Sequence, residues 1–298
     1  MKSKAFLYIA LATDVLIAIT KFVAGGFTRS SAMISEAVHS VIDAVSQVLL
    51  LWGVVTSKKK ADDERPFGYG RELYFWSFIV SLIIFSMGGC ISFYEGILRI
   101  KSPAAGRDET WNYIVLGISF LFTAISAFAS LKVFNRQRGE ASFWKSVTRS
   151  KDPAVFIVLL GDLGDMICLA IAFTGIWLGH IFNNSYYDGG ASVLIGVILI
   201  LISLLLVRES RSLLMGETVR KATVNEIAAI TESDPSIVKV KKQLSVYLSP
   251  EEIVLQMTAV FRQDLTTSQI TDSITNIIQA IQQKFPFIKQ IFIEPVNK

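Results

Sequence analysis

The sequence predicts a bundle of membrane-spanning helices followed by a small soluble α+β domain. Three observations carry this. Of the 298 residues, 52% are hydrophobic and only 18% are charged, where a soluble protein carries about 25%, and the mean hydropathy is +0.49. Six apolar segments before residue 212 are long enough to cross a bilayer. Beyond residue 212 the pattern changes to short alternating and helical periods typical of a water-soluble domain.

We place the six spans at 5–26, 35–55, 76–98, 111–133, 154–179 and 189–207. The first contains Asp14 and Lys21 and lacks a small-residue cleavage site after a short apolar core, so it reads as a retained span. Loop charge sets the orientation. Lys2, Lys4, the Lys58-Lys59-Lys60 run, Arg65 and Arg71 fall on one side, with Arg136, Arg138, Lys145, Arg149, Lys151, Arg208 and Arg211. The opposite side offers Arg29, Lys101 and Arg107, and its loop GHIFNNSYYDG has no Lys or Arg. Positive-inside bias therefore places both termini in the cytoplasm. We expect a bacterial inner membrane, since no organelle-type presequence precedes the first span and the loops are short.

In the soluble part, residues 222–232 read as a helix and Ile237 to Leu248 as a strand closed by a turn at Ser249-Pro250. Ile253, Leu255, Met257, Ala259 and Phe261 alternate with more polar neighbours, as a half-buried strand requires. Ile270, Ile274, Ile277, Ile278, Ile281 and Phe285 then recur at helical spacing after a Thr-rich start suited to capping, and KQIFIEP supplies a last strand. The order α-β-β-α-β fits a two-layer, ferredoxin-like sandwich, which at this size would gain from packing on a second copy.

The net charge of +4 follows from the loop charges, and no basic–aromatic nucleic-acid module is visible. Cys90 and Cys168 form no C-x-x-C pair and lie in apolar segments, where they read as packing residues. No nucleophile or acid–base set stands out at a membrane face, so the chain does not read as an enzyme.

The chemistry lies in two polar stripes. Glu36, His39 and Asp43 are spaced by three and four, on one face of the second span. Ionisable groups at membrane depth are expensive and normally face a bundle interior on an ion path. The plainer alternative is a hydrogen-bonded pair that joins helices. His39 and Asp43, at i and i+4, can approach one metal ion from a single helix. Glu36 reads as a ligand, an orienter of His39 or an interfacial residue. Asp162 and Asp165 form the second stripe. Two carboxylates one turn apart at low dielectric repel, and a divalent ion resolves that conflict. His39, Asp43, Asp162 and Asp165 together supply the four donors of a tetrahedral site, which suits zinc and, being oxygen-rich, also Mn²⁺ or Fe²⁺. Asp14 in the first span reads equally as a proton-accessible residue, a helix-pairing residue or a ligand. Glu95 and Arg99 read as a local i, i+4 ion pair.

Six spans, cytoplasmic ends, the His39-x-x-x-Asp43 motif and the terminal α-β-β-α-β domain resemble the cation diffusion facilitators over essentially the whole chain. The runs SEAVHSVIDAVSQ and RPFGYGRELYFW, and Lys151-Asp152-Pro153 leading into VFIVLLGD, are most similar to the branch with the mitochondrial zinc transporter and its bacterial relatives. The resemblance implies a homodimeric exporter of Zn²⁺ or related divalent cations (Mn²⁺, Fe²⁺, Co²⁺) driven by proton antiport. It also implies no prosthetic group, a transport domain over 1–211 and a cytoplasmic dimerisation domain over 212–298.

Three departures from the family pattern bear on the metal. Where members carry a His or an acidic residue one turn before the fifth-helix Asp, this chain has Gly161, and the register of Asp162 against Asp165 stays open. Arg65 stands where the loop commonly has His. The terminal domain contains neither His nor Cys, the only histidines being His39 and His180. These departures also motivate a second reading, a transport-inactive regulatory partner or metal-responsive scaffold. The primary expectation is alternating access around a midplane site, with protons and metal competing for the same lone pairs.

Overall fold

The computed structural model describes residues 5–28, 31–101, 110–138, 142–147, 150–182, 184 and 186–296. The chain divides into two compact units, one of Met1–Thr56 with Glu72–Arg211, the other of Ser57–Arg71 with Ser212–Lys298.

The first unit is helical. Its elements are α1 (Ala5–Thr28), α2 (Ser31–Thr56), α3 (Glu72–Ile83), a π-helical segment (Ile84–Cys90), α4 (Ile91–Lys101), α5 (Thr110–Arg138), the short α6 (Phe143–Val147), α7 (Pro153–Phe182) and α8 (Tyr186–Met215). Among the described residues six helical stretches are long and apolar enough to cross a membrane, at Ala5–Ala24, His39–Thr56, Glu72–Lys101, Tyr113–Arg136, Pro153–Phe182 and Tyr186–Met215. Each overlaps one expected span. The third, fifth and sixth run longer than expected; in the third and sixth, end residues such as Glu72, Lys101, Asp188 and Arg208 continue the helix past the apolar core.

Two packing devices shape this unit. The first makes α7 central: Pro153 to Leu160 are all buried, and 56% of this span's apolar stretch is buried against 22% for Tyr186–Met215. A helix apolar all round belongs inside a bundle. The second is a close approach of α4 and the preceding π segment to α8. A methyl group on Gly96 would lie 2.5 Å from the backbone nitrogen of Val193, and one on Gly196 would lie 2.5 Å from that of Phe93. Gly89 against Ile200 and Gly189 against Ile100 repeat the contact one heptad away in each helix. Small residues let membrane helices approach backbone to backbone, where lipid offers no hydrophobic drive. Leu121, Phe128 and Leu201 point outward, as lipid-facing side chains do.

Near one end of this contact Arg99 Nη1 donates to Asp188 Oδ2 at 2.9 Å, joining α4 to α8. The i, i+4 pairing expected with Glu95 gives way to this interhelical one, since α8 brings a carboxylate within reach. Cys168 is buried, as expected for a packing residue, whereas Cys90 is exposed.

The second unit carries α9 (Lys221–Glu232), β1 (Ile237–Ser249), β2 (Glu252–Phe261), α10 (Thr267–Lys284) and β3 (Ile288–Val296). β2 is the central strand, antiparallel to β1 through the Ser249-to-Glu252 hairpin and parallel to β3 across the α10 crossover. Ile253, Leu255, Met257, Ala259 and Phe261 of β2 point into one core with Ile227, Ile277, Ile281 and Ile288. Each fully buried aliphatic side chain there contributes about 1.5–3 kcal/mol. Thr266 caps α10 through a capping box with Gln269.

The loop Ser57–Arg71 belongs to this unit and is tightly folded. Asp62 accepts from the Arg65 backbone N–H (2.8 Å) and from the Tyr69 hydroxyl (2.7 Å). The Arg65 guanidinium lies 4.6 Å from the Tyr69 ring centroid. The Tyr69 hydroxyl, followed by the backbone donors, holds the Asp62 carboxyl below its usual range. Gly68 has φ of +77°, which a side chain rarely adopts. A methyl on Gly70 would lie 2.7 Å from the Leu248 carbonyl oxygen, so only glycine lets the loop lie against β1.

Candidate functional site

The second span turns one polar face inward. His39 and Asp43 share that face of α2, followed one turn on by Ser46 and Gln47, and all four border a single cavity of about 50 Å³. That is room for a few water-sized bodies, since one needs roughly 10–15 Å³ on this measure. α1 contributes Asp14; α7 contributes Gly161, Asp162 and Asp165. Val80, Ile84 and Gly88 of the third span close another side, with Leu199, Ile202 and Leu206 of α8. The walls are therefore largely apolar, with acidic groups and one imidazole converging on the space.

The π segment has a part in this. Its wide turn displaces the third span's register, a distortion that recurs at functional sites. Gly88 within it faces the imidazole: a methyl added there would sit 3.8 Å from His39 Cε1.

The donors surround the space without closing on a point. His39 Nε2 is 3.9 Å from Asp43 Oδ2, too long for a hydrogen bond. Among the described residues no three His, Cys, Asp or Glu side chains are gathered tightly enough to hold one ion. The two α7 carboxylates differ in their surroundings. Asp162 is buried, and its Oδ2 accepts from Ser126 Oγ at 2.9 Å and Ser130 Oγ at 3.1 Å, both on α5. Asp165 is half-buried and carries no comparable hydrogen bond among the described residues.

Of the residues singled out from the sequence, His39, Asp43, Asp162, Asp165 and Asp14 are thus brought to one cavity. Glu36 lies in α2, and its side chain falls outside the described residues. His180, in the last turn of α7, is not on the cavity wall. Sequence reasoning missed Ser46 and Gln47. The Ser46 Oγ and Gln47 Oε1 atoms are buried and have no hydrogen-bond partner among the described residues. Buried oxygens of this kind call for a water or an ion. Their spacing of seven and eight from His39 was the available signal.

Residues 7–215 match the family defined by the cation efflux transmembrane domain, most of the chain's length. The chain belongs to the cation diffusion facilitator family. Among its relatives, the human proton-coupled zinc antiporter SLC30A9, mitochondrial, is 31% identical over 77% of this chain and 41% of its own length. The chain thus spans well under half of that relative. The manganese efflux system protein MneP of Bacillus subtilis is 22% identical over 98% of this chain and 95% of its own. The metal cation efflux system protein CzcD of Cupriavidus metallidurans is 28% identical over 70% and 61%. The chain's relatives are thus named for zinc, for manganese and for metal cations in general.

Proposed function

We propose that this facilitator exports divalent metal cations by alternating access, with protons returning in exchange. The observation that carries the reading is the cavity among α1, α2, the third span, α7 and α8, where His39, Asp43, Asp165 and Asp14 converge at membrane depth. Ionisable groups so placed are costly unless they serve an ion. His39 and Asp43 of α2 supply a nitrogen and a carboxylate oxygen, and Asp165 supplies a second carboxylate oxygen from α7. Asp14, Ser46 and Gln47 complete the shell directly or through water. A mixed nitrogen–oxygen set suits Zn²⁺ first, while its high oxygen content keeps Mn²⁺, Fe²⁺ and Co²⁺ within range. The relatives named for zinc and for manganese support both ends of that range.

The cycle follows from the ligands. An imidazole and carboxylates bind a metal only when deprotonated, so cation entry expels protons, and protons arriving from the far side expel the cation. The donors stand apart around open space, so loading draws α2 and α7 together, and that closure is the step that changes which side the cavity faces. Both termini lie in the cytoplasm of a bacterial inner membrane, and the soluble unit pairs two copies.

The test is metal-dependent proton flux in proteoliposomes loaded with a pH dye, comparing Zn²⁺, Mn²⁺, Fe²⁺, Co²⁺ and Cd²⁺. A proton signal lost in both Asp43→Ala and Asp165→Ala, with the proteins inserted and folded, is the expected result. Flux like wild type in both variants refutes the site. One observation favours a second reading: Gly161 leaves a side of the cavity without a donor. Silence for every metal from folded protein would assign the chain to the regulatory-partner class instead.

A further inference from the structure

We propose that Ser126 and Ser130 of α5 are positioning residues that hold Asp162 out of the metal's donor set and thereby tune which cation the cavity prefers. The inference rests on the reading of the cavity as a metal site. α5 is an apolar helix with a buried polar stripe, and Ser126 and Ser130 sit one turn apart on it, 2% and 0% exposed. Both hydroxyls reach the same oxygen of Asp162, Oδ2. Two donors occupy the lone pairs of that oxygen. Ser130 Oγ also has the Ala127 carbonyl oxygen at 3.1 Å, so Ser126 is the firmer anchor; in a low-dielectric interior, breaking its bond leaves a buried hydroxyl and a carboxylate oxygen less well paired, and the arrangement resists being pulled toward an ion.

Asp165, three residues on, lines the same cavity without comparable anchors. The two carboxylates of α7 therefore divide the work. Asp165 bonds the ion, while Asp162 lends negative charge from behind, with Oδ2 turned to α5. This arrangement keeps the oxygen count low and gives the His39 nitrogen more weight, which favours Zn²⁺. Freeing Asp162 adds an oxygen donor and moves the site toward Mn²⁺.

The experiment measures Zn²⁺ and Mn²⁺ binding calorimetrically on the full chain in detergent, together with flux in proteoliposomes. Asp162→Asn keeps an oxygen for both serines to donate to but loses the background charge, so its Zn²⁺ affinity is expected to fall only modestly, whereas Asp165→Asn loses Zn²⁺ by orders of magnitude. Ser126→Ala/Ser130→Ala is expected to raise the Mn²⁺-to-Zn²⁺ affinity ratio about tenfold, the lower end of effects seen when a metal site's supporting hydrogen bonds are removed. Restoring one hydroxyl, as Ser126→Thr with Ser130→Ala, should return the ratio part-way, which a merely structural serine would not do. A Zn²⁺ loss in Asp162→Asn matching that in Asp165→Asn overturns the inference, as does an unchanged ratio in the folded double-alanine variant. Should the double variant not fold, Asp162→Asn decides alone. Wild-type binding in both Asp43→Ala and Asp165→Asn would remove the metal site itself, an outcome separate from either of these.

Discussion

Replacing Gly161 by histidine would supply the donor that α7 lacks. A Cβ built on Gly161 meets nothing within 4 Å, and the residue borders the cavity. It precedes Asp165 by four residues, the same spacing by which His39 precedes Asp43. The imidazole would therefore enter open space, on a helix whose interior favours almost any residue over glycine by a few tenths of a kcal/mol. Against the new Zn–N bond stand the loss of a water ligand and about 1 kcal/mol of side-chain freedom. The expected net gain is tighter Zn²⁺ binding by about tenfold, or about 1.4 kcal/mol. Mn²⁺, which gains less from nitrogen, should change little. Calorimetry with both metals reads the ratio directly. Flux should saturate at lower Zn²⁺ with a reduced maximal rate, because an ion held more tightly leaves more slowly. A folded Gly161→His protein with unchanged Zn²⁺-to-Mn²⁺ preference would mean that position 161 does not face the ion, and the assignment of the cavity wall would fail.

Gly96→Ala drives a methyl to 2.5 Å from the Val193 nitrogen and should destabilise the first unit by about 1–3 kcal/mol. Gly117→Ala, with nothing within 4 Å, should be neutral or stabilising; equal melting temperatures for the two by scanning fluorimetry would contradict the close contact. Thr266→Ala removes the cap of α10 and should cost the second unit about 0.5–2 kcal/mol, read as a lower denaturation midpoint. Tyr69→Phe removes the hydroxyl that depresses the Asp62 carboxyl, so NMR titration should show that group rising toward its ordinary value of 3.8. The folded value lies below the unfolded one, so the stabilisation is present above the ordinary carboxylate range. It fades as pH falls through the depressed value, and an unshifted Asp62 in Tyr69→Phe would show that the bond does not form in solution.

The spans were legible because apolar length is a local property, and the polar face of α2 because His39 and Asp43 share one helix. The alternation of β2 and the Thr266 cap could be read for the same reason. Asp162 and Asp165 show the limit. Three residues apart, they look equivalent in the sequence, yet they stand about 60° apart around a helix of 3.6 residues per turn. Both border the cavity, but that angle brings only Asp162 within reach of Ser126 and Ser130. Which helix faces which is decided by tertiary packing, and no spacing along α7 records it. The π segment was equally hidden, since IFSMGGC reads as an ordinary apolar turn. Arg99 found Asp188 across the bundle, at a sequence distance that no helical period addresses.

The chain passes between the two compact units three times, at Thr56–Ser57, Arg71–Glu72 and Arg211–Ser212. The second unit is therefore not a pendant tail that can be cut away at one point. A fragment beginning at residue 212 would lack Ser57–Arg71 and expose the backbone around Leu248 that Gly70 lies against. Studied alone, such a fragment would report on a sheet with one flank stripped. A single proteolytic nick in the 57–71 loop would leave the polypeptide in two pieces, each holding part of both units.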